Sequence, residues 1–310
     1  MGNNTEILRQ FDYTQQALIT VHEFPDIDAV GSALALYSYL KSYNKEATIW
    51  ISQPLDNNFD FLPNIDVIVN QIPNNFVYDT IFILDCSNTD RVRNFAKLPI
   101  SDQIIVNIDH HPDNERFGNI NYVKLVSSVG EILTQLFIDS NFNFTKEIAT
   151  CLYAAIIFDT GRFAYSNVTS QTLSLASTLM KHGASNVKIN ASMEENKSIK
   201  DFMQIKAAIN ELQIIDDYQI AYTTIVVQKS IKIKVIDFIR QLKNINIFIV
   251  FQILNDNLIK INLRSQNNFD VSSFSKQFGG GGHRKASGIL YKGSLENCQN
   301  EILTALKESL

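Results

Sequence analysis

Only three of the 310 residues are cysteine, and Cys86, Cys151 and Cys298 lie far apart. An odd, scattered set is neither a disulfide framework nor a zinc knuckle, and it suits a reducing cytoplasm. No apolar run approaches the roughly 20 residues that cross a bilayer, so no membrane partner is expected. The start, Met1-Gly2-Asn3-Asn4-Thr5-Glu6, lacks the basic and then apolar regions of a signal peptide. It also misses a myristoylation pattern, because Glu6 stands where Ser or Thr is required. Internal repeats and low-complexity tracts are missing too. Charged residues make up 19% and hydrophobic ones 45%, which excludes a disordered chain and leaves a globular one with room for two cores.

A net charge of −5 argues little for a nucleic-acid partner, but its distribution says more. Residues 1–183 hold 11 Lys and Arg against 20 Asp and Glu, whereas residues 184–310 hold 16 against 12. An acidic half suits metal ions and a basic half an anionic substrate. Chance asymmetry between two solvated surfaces is the plain alternative.

Strand-like and helix-like segments alternate through the first half. Strands are expected at 17–22, 47–51, 67–69, 80–85 and 103–109, with a loop rich in turn formers at 54–64. Helices are expected at 28–43, 88–97, 128–140, 146–158 and 169–182, the last capped by Gly183. Ser128 and Glu131 have the spacing of a capping box. Continuous apolar runs such as Ile81-Phe82-Ile83-Leu84 suit strands buried on both faces. The alternation predicts an α/β domain with a doubly wound, mainly parallel sheet over residues 1–183. Residues 184–198 read as a linker. Beyond it, helices at 199–211, 232–242, 271–277 and 295–310 and strands at 214–215, 220–227, 245–254 and 258–263 predict a smaller α+β domain, residues 199–310.

Four acidic clusters end the apolar segments of the first half. In His22-Glu23-Phe24-Pro25-Asp26-Ile27-Asp28, a histidine and two acids stand at i, i+4 and i+6, between a strand and a helix. Ligands of open parallel sheets bind outside such strand ends. Two close carboxylates repel unless a cation lies between them; the alternative for Asp28 is a solvated helix cap. Asp85 ends a second run, as ligand or cap, with Asp90 a rival in the next helix. Asp109-His110-His111-Pro112 ends a third. Adjacent histidines on extended backbone point apart, so one can ligate a metal while the other faces substrate. Asp159 ends a helix, the unfavourable end of its dipole, and needs Arg162 or a metal as partner; Arg162 is otherwise a phosphate contact. Oxygen and imidazole donors without thiolate favour Mn²⁺ or Mg²⁺ over structural zinc. In the second half, four consecutive glycines, Gly279 to Gly282, precede His283-Arg284-Lys285. Glycine lets backbone N–H groups approach an anion. Arg264-Ser265 ends a strand with a cation fit for a phosphate, or for an ion pair with Asp270.

These clusters, in this order, resemble the DHH phosphoesterase family, in the branch with a glycine-rich DHH-associated C-terminal domain. Within it the chain looks most like the bacterial nanoRNases that also hydrolyse 3′-phosphoadenosine 5′-phosphate, over essentially its whole length. The resemblance implies a site in the interdomain cleft with two Mn²⁺ ions, or Mg²⁺ or another divalent metal. His22, Asp26 and Asp85 would hold one, and Asp28, Asp85, His110 and Asp159 the other, with Asp85 bridging. Asp109 would orient the ligating His110, and His111 would face the scissile phosphate as donor or general acid. Arg264, Ser265, Gly280, Gly281, Gly282, His283 and Arg162 would bind the rest of the substrate. The implied substrates are very short oligoribonucleotides, cut to 5′-mononucleotides, and 3′-phosphoadenosine 5′-phosphate, converted to AMP. A homodimer is compatible with this. Competing readings are a RecJ-like exonuclease, a manganese pyrophosphatase, a linear di-adenylate phosphodiesterase and a non-catalytic nucleotide-binding regulator.

Overall fold

The apolar runs that end in acids become the middle of a parallel sheet. The computed structural model describes residues 4–73, 77–92, 95, 98, 100, 102–194, 198–227 and 235–310. The chain divides into two units, Met1–Glu195 and Asn196–Leu310. In the first, chain order runs α1 (Asn4–Tyr13), β1 (Gln16–Val21), α2 (Ile27–Ser42), β2 (Glu46–Trp50), β3 (Ile68–Val69), β4 (Thr80–Leu84), β5 (Ile104–Asp109), β6 (Ile120–Val123), α3 (Val129–Asp139), α4 (Lys146–Asp159), α5 (Ser170–Lys181) and α6 (Asn186–Glu194).

The six strands are all parallel, in the order β3-β2-β1-β4-β5-β6. The order reverses between β1 and β4, which opens a crevice at their carboxyl ends. Every residue of Ile81 to Leu84 is buried because both faces are covered. Phe82 and Leu84 face a core shared with α1 to α4, while Ile81 and Ile83 pack against Trp50, Tyr78, Val92 and Leu98. Each buried Ile or Leu contributes roughly 1.5–3 kcal/mol, so register is firmly set. Val21, Leu84 and Ile108 lie in one row across three strands. The next residues, His22, Asp85 and Asp109, therefore emerge side by side. Gly31 lets α2 close on α4: a Cβ there would lie 2.7 Å from the Cys151 carbonyl oxygen. This contact brings the start of α2 to the end of α4.

Several local expectations are met. Ser128 caps α3 by accepting the Glu131 N–H, Thr169 caps α5, and Gly183 and Ala184 donate to Met180 and Leu179 in a Schellman turn. Others are not. The expected helix at 88–97 is a short 3₁₀ turn, Thr89–Arg91, and residues 93, 94, 96 and 97 lie outside the described ones. The stretch read as a linker, 184–198, is mostly helix α6, whose Ile189 enters the first core. So little burial hid that helix: Ile189 is its only fully buried side chain, with Met193 packing beside it. Residues 195–197 lie outside the described ones.

The second unit runs α7 (Ile199–Asn210), β7 (Gln213–Ile215), β8 (Ile220–Val226), α8 (Val235–Ile239), β9 (Ile247–Asn255), β10 (Leu258–Ser265), α9 (Val271–Lys276), β11 (Gly281–His283), β12 (Ala286–Lys292) and α10 (Leu295–Ser309). Its six strands form a mixed sheet ordered β11-β12-β10-β9-β8-β7, in which only β8 and β9 pair in parallel. Of the expected helix at 232–242, residues 232–234 lie outside the described ones. The three cysteines are buried free thiols. No helix among the described residues is long and apolar enough to cross a membrane.

Candidate metal centre

Asp85 stands first because the chain strains to place it. Its φ is +54°, a left-handed conformation costing on the order of 1–3 kcal/mol outside glycine. Its N–H donates to the Ile108 carbonyl, so the turn is pinned to β5. The side chain is buried. One oxygen, Oδ2, lies 3.6 Å from His22 Nε2, and the other, Oδ1, lies 3.3 Å from His110 Nε2. Oδ1 has no hydrogen-bond partner among the described residues. Burial alone would raise the Asp85 pKa, but His110 and His22 beside it hold it well below the usual carboxylate range.

Around Asp85 three groups of donors lie with one atom of each residue within 4.8 Å of the others: His22 with Asp26 and Asp85, Asp28 with His110 and Asp159, and Asp85 with His110 and His111. The first is the set expected for one metal. The second is the set expected for the other, with Asp85 Oδ1 beside it. An unpartnered buried carboxylate oxygen amid imidazole and carboxylate donors fits divalent cations.

Asp26 is the N-cap of α2, accepting the Ala29 N–H. Burial, then Asp85 and Asp159 nearby, push its pKa up to about 6. Asp28 does not cap its own helix. It reaches across to the start of α3, where Val129 and Gly130 N–H donate to its two oxygens at 2.8 and 2.9 Å. The Ser32 hydroxyl adds a third bond. Even so, burial and the charges of Asp85 and Asp159 raise its pKa well above normal. The α3 start is itself fixed by buried Glu131, which accepts from Ser127 N, Ser127 Oγ and Thr172 Oγ1. Glu131 thus reaches Ser127 rather than closing a box on Ser128.

His110 Nδ1 lies 3.3 Å from the Val126 carbonyl, which turns Nε2 to Asp159 at 3.2 Å and Asp28 at 3.9 Å. Burial opposes its charge, but Asp159 and Asp85 carry its pKa well above 6.5. Asp109 was expected to support His110. Instead its Oδ1 meets His111 Nδ1 at 2.7 Å, because neighbouring side chains of extended backbone diverge and the pair at i, i+2 shares a side. That bond, working against burial, lowers the Asp109 pKa and raises that of His111. Arg162 does not pair with Asp159; exposed, it pairs with Glu194.

In the second unit, Arg264 and His283 are each the cross-strand partner of Ala286. Paired residues share a face, so the two side chains flank a small residue in one row. Asn262, Gly288 and Gly281 form a second row on that face. The glycine run is no open loop. Gly281–His283 is a strand, and a Cβ on Gly280 would lie 2.2 Å from the Gly288 carbonyl oxygen. Gly281, by contrast, has open space. The Ser265 hydroxyl is engaged with Asn267, and Asp270 caps α9 with Arg284, not Arg264, as its cation.

A model of the DHH family N-terminal domain matches residues 16–156, and one of the DHHA1 domain matches residues 217–310. A protein of Thermus thermophilus described as a bifunctional oligoribonuclease and PAP phosphatase NrnA is 26% identical over 94% of this chain and 89% of its own. A probable protein of the same description from Streptococcus mutans is 25% identical over 98% of both. The crystal structure of an exopolyphosphatase-related protein from Bacteroides fragilis superposes with a TM-score of 0.90, at 23% identity, over 98% of this chain and 95% of that one.

Proposed function

Because the chain belongs to the DHH family of phosphoesterases, with a DHHA1 domain at its carboxyl side, we propose that it hydrolyses very short oligoribonucleotides to 5′-mononucleotides and 3′-phosphoadenosine 5′-phosphate to AMP. The observation that carries this reading is the placing of Asp85, with one oxygen toward each of two donor groups. His22, Asp26 and Asp85 would hold one Mn²⁺ or Mg²⁺, and Asp28, His110 and Asp159, with Asp85 between, the other. Two such ions supply an activated water and neutralise charge at the phosphorus. His111, held through Nδ1 by Asp109, donates from Nε2 to the leaving oxygen. Arg264, His283 and the open edge at Gly281 bind the phosphate or nucleotide away from the scissile bond. The relatives described as oligoribonuclease and PAP phosphatase support this choice of substrates.

Purified protein with Mn²⁺ is expected to release mononucleotides from a dinucleotide and phosphate from 3′-phosphoadenosine 5′-phosphate. A panel that adds five-mers, longer RNA, linear di-adenylate and pyrophosphate sets the range. Preference for long RNA, or turnover of pyrophosphate alone, overturns the reading. Tight nucleotide binding without product makes the protein a regulator. Arg264→Ala should raise KM for the dinucleotide about 10–100-fold, the worth of one charge-assisted hydrogen bond, with kcat nearly unchanged. Loss confined to kcat would remove Arg264 from binding.

A further inference from the structure

Two buried or half-buried amides behind the donor groups have no part in the ligand sets. Asn107 lies on β5 with its side chain wholly buried. Its Nδ2 donates to the Ile83 carbonyl at 3.2 Å and the Cys86 carbonyl at 3.0 Å. Both amide hydrogens are thereby used, and Oδ1 is left to accept. Asn114, three residues after His111, fills that place: its Nδ2 lies 2.8 Å from Asn107 Oδ1 and 2.6 Å from Asp109 Oδ2, with the Cys86 carbonyl, next to Asp85, farther off at 3.2 Å. Asn114 Oδ1 accepts the Arg116 N–H at 2.7 Å, so the amide cannot be turned round.

We propose that Asn114 is a positioning residue for His111, acting through Asp109; this rests on the phosphoesterase reading above. A carboxylate held at one oxygen only can rock about its Cα–Cβ and Cβ–Cγ bonds. Asp109 is held at both, Oδ2 by Asn114 and Oδ1 by His111 Nδ1 at 2.7 Å. The orientation of the His111 ring thus descends from β4 and β5 through Asn107, Asn114 and Asp109 in turn. The choice of an amide has a reason. A lysine or arginine would fix Asp109 equally well but offset its charge, whereas asparagine orients it and leaves the full negative charge facing the imidazole. An orienting partner of this kind acts on the chemical step, because a misplaced donor is felt in the transition state more than in the bound substrate.

A double-mutant cycle on the full chain tests this, with a dinucleotide and Mn²⁺ as probes. Asn114→Ala is expected to lower kcat about 10–100-fold, part of what a positioned proton donor contributes. KM and Mn²⁺ affinity, the latter by calorimetry, should stay within about twofold. In a His111→Ala background the same change should cost less than about twofold, since the residue it serves is gone. Asn114→Asp keeps the shape and the Arg116 bond but sets a carboxylate against Asp109. It should match or exceed the alanine loss, and it carries the comparison if the alanine variant loses its fold. Independently of turnover, nitrogen NMR of metal-free protein, at a pH high enough to leave the ring neutral, should show His111 with its proton on Nδ1 in the wild type and mixed tautomers in both variants. An equal kcat loss in both backgrounds overturns the proposal, as does an unchanged ring signal. So does a fall in Mn²⁺ affinity that accounts for the lost rate, which would place Asn114 behind Asp85 through Cys86. If the wild-type chain turns over no phosphoester, the functional reading fails, and the ring signal alone judges Asn114.

Discussion

Asp85→Asn is expected to leave a folded protein whose phosphoester hydrolysis is slower by about 10⁴-fold or more. Asparagine is the right replacement because the backbone at this position has φ +54°, which asparagine tolerates better than alanine does. The change removes one charge and turns one of two oxygens into an N–H donor. Among the described residues Asp85 is the one carboxylate that pairs with both His22 and His110, so both donor groups are damaged at once. A pair of ions contributes several kcal/mol to the transition state, and about 5 kcal/mol corresponds to roughly four orders of magnitude in rate. Calorimetry should count two Mn²⁺ bound to the wild type and at most one to the variant, with the unfolding transition of the first unit retained. Asp90→Asn, an exposed acid on the neighbouring 3₁₀ turn, is the control and should change neither. Two ions bound to Asp85→Asn with activity within tenfold of wild type would remove Asp85 from its proposed place.

The sequence made the strands legible because they are buried on both faces. Ile81 to Leu84 are apolar without interruption, and Ile105 to Ile108 are apolar but for the buried amide of Asn107, so an acid at the end of such a run is conspicuous. The positions of His22, Asp85 and Asp109 follow from register alone once the strands pair in parallel. What could not be read is whatever depends on which side chain meets which. The alternative to a ligand for Asp28 was a solvated cap of its own helix, yet its oxygens take the first N–H groups of α3, some 100 residues on. Nothing local encodes that contact; it comes from α2 and α3 meeting over one core. Asp109 and His111 could have been paired from the two-residue period of a strand, since residues i and i+2 share a side. Asn114 carried no signal, because an asparagine after a proline reads as a turn residue. Helix α6 was masked because Ile189 is its only fully buried side chain. The glycine run looked like a cradle for an anion, while Gly280 is required first by the close pass of the Gly288 backbone.

The same crowding of acids predicts how metal and pH act on the first unit. Asp26 has its pKa raised from 3.8 to about 6, so ionising it costs more in the folded than in the unfolded chain. That cost grows as pH rises from about 4 and is complete above about 6, where it amounts to about 3 kcal/mol at 1.36 kcal/mol for each pKa unit. Asp28 shifts in the same sense. His110 and His111, raised by their carboxylate partners against the effect of burial, contribute stability that is present below their unfolded pKa and lost as pH rises through the folded one. Asp85 and Asp109 are lowered, so what they contribute is lost only as pH falls below the usual carboxylate range. Between pH 5 and 7.5 the raised Asp26, Asp28, His110 and His111 all act in one direction, while Asp85 and Asp109 are largely ionised in both states, so the metal-free protein should lose stability as pH rises. Asp26 alone supplies about half its cost over that interval, a fall in Tm of roughly 3–5 °C for a unit of this size. Bound Mn²⁺ sets positive charge among the same carboxylates and reverses the trend. At a hundredfold excess over Kd it adds about 2.7 kcal/mol, a rise of roughly 5–10 °C at pH 7.5. The rise should shrink at pH 5, where Asp26 and His110 have to give up protons before they can bind. Melting curves at the two pH values, with and without Mn²⁺, check both statements. A metal-free protein more stable at pH 7.5 than at pH 5 would mean that the acids do not crowd as described, and an Mn²⁺ effect equal at both would mean that the ion binds elsewhere.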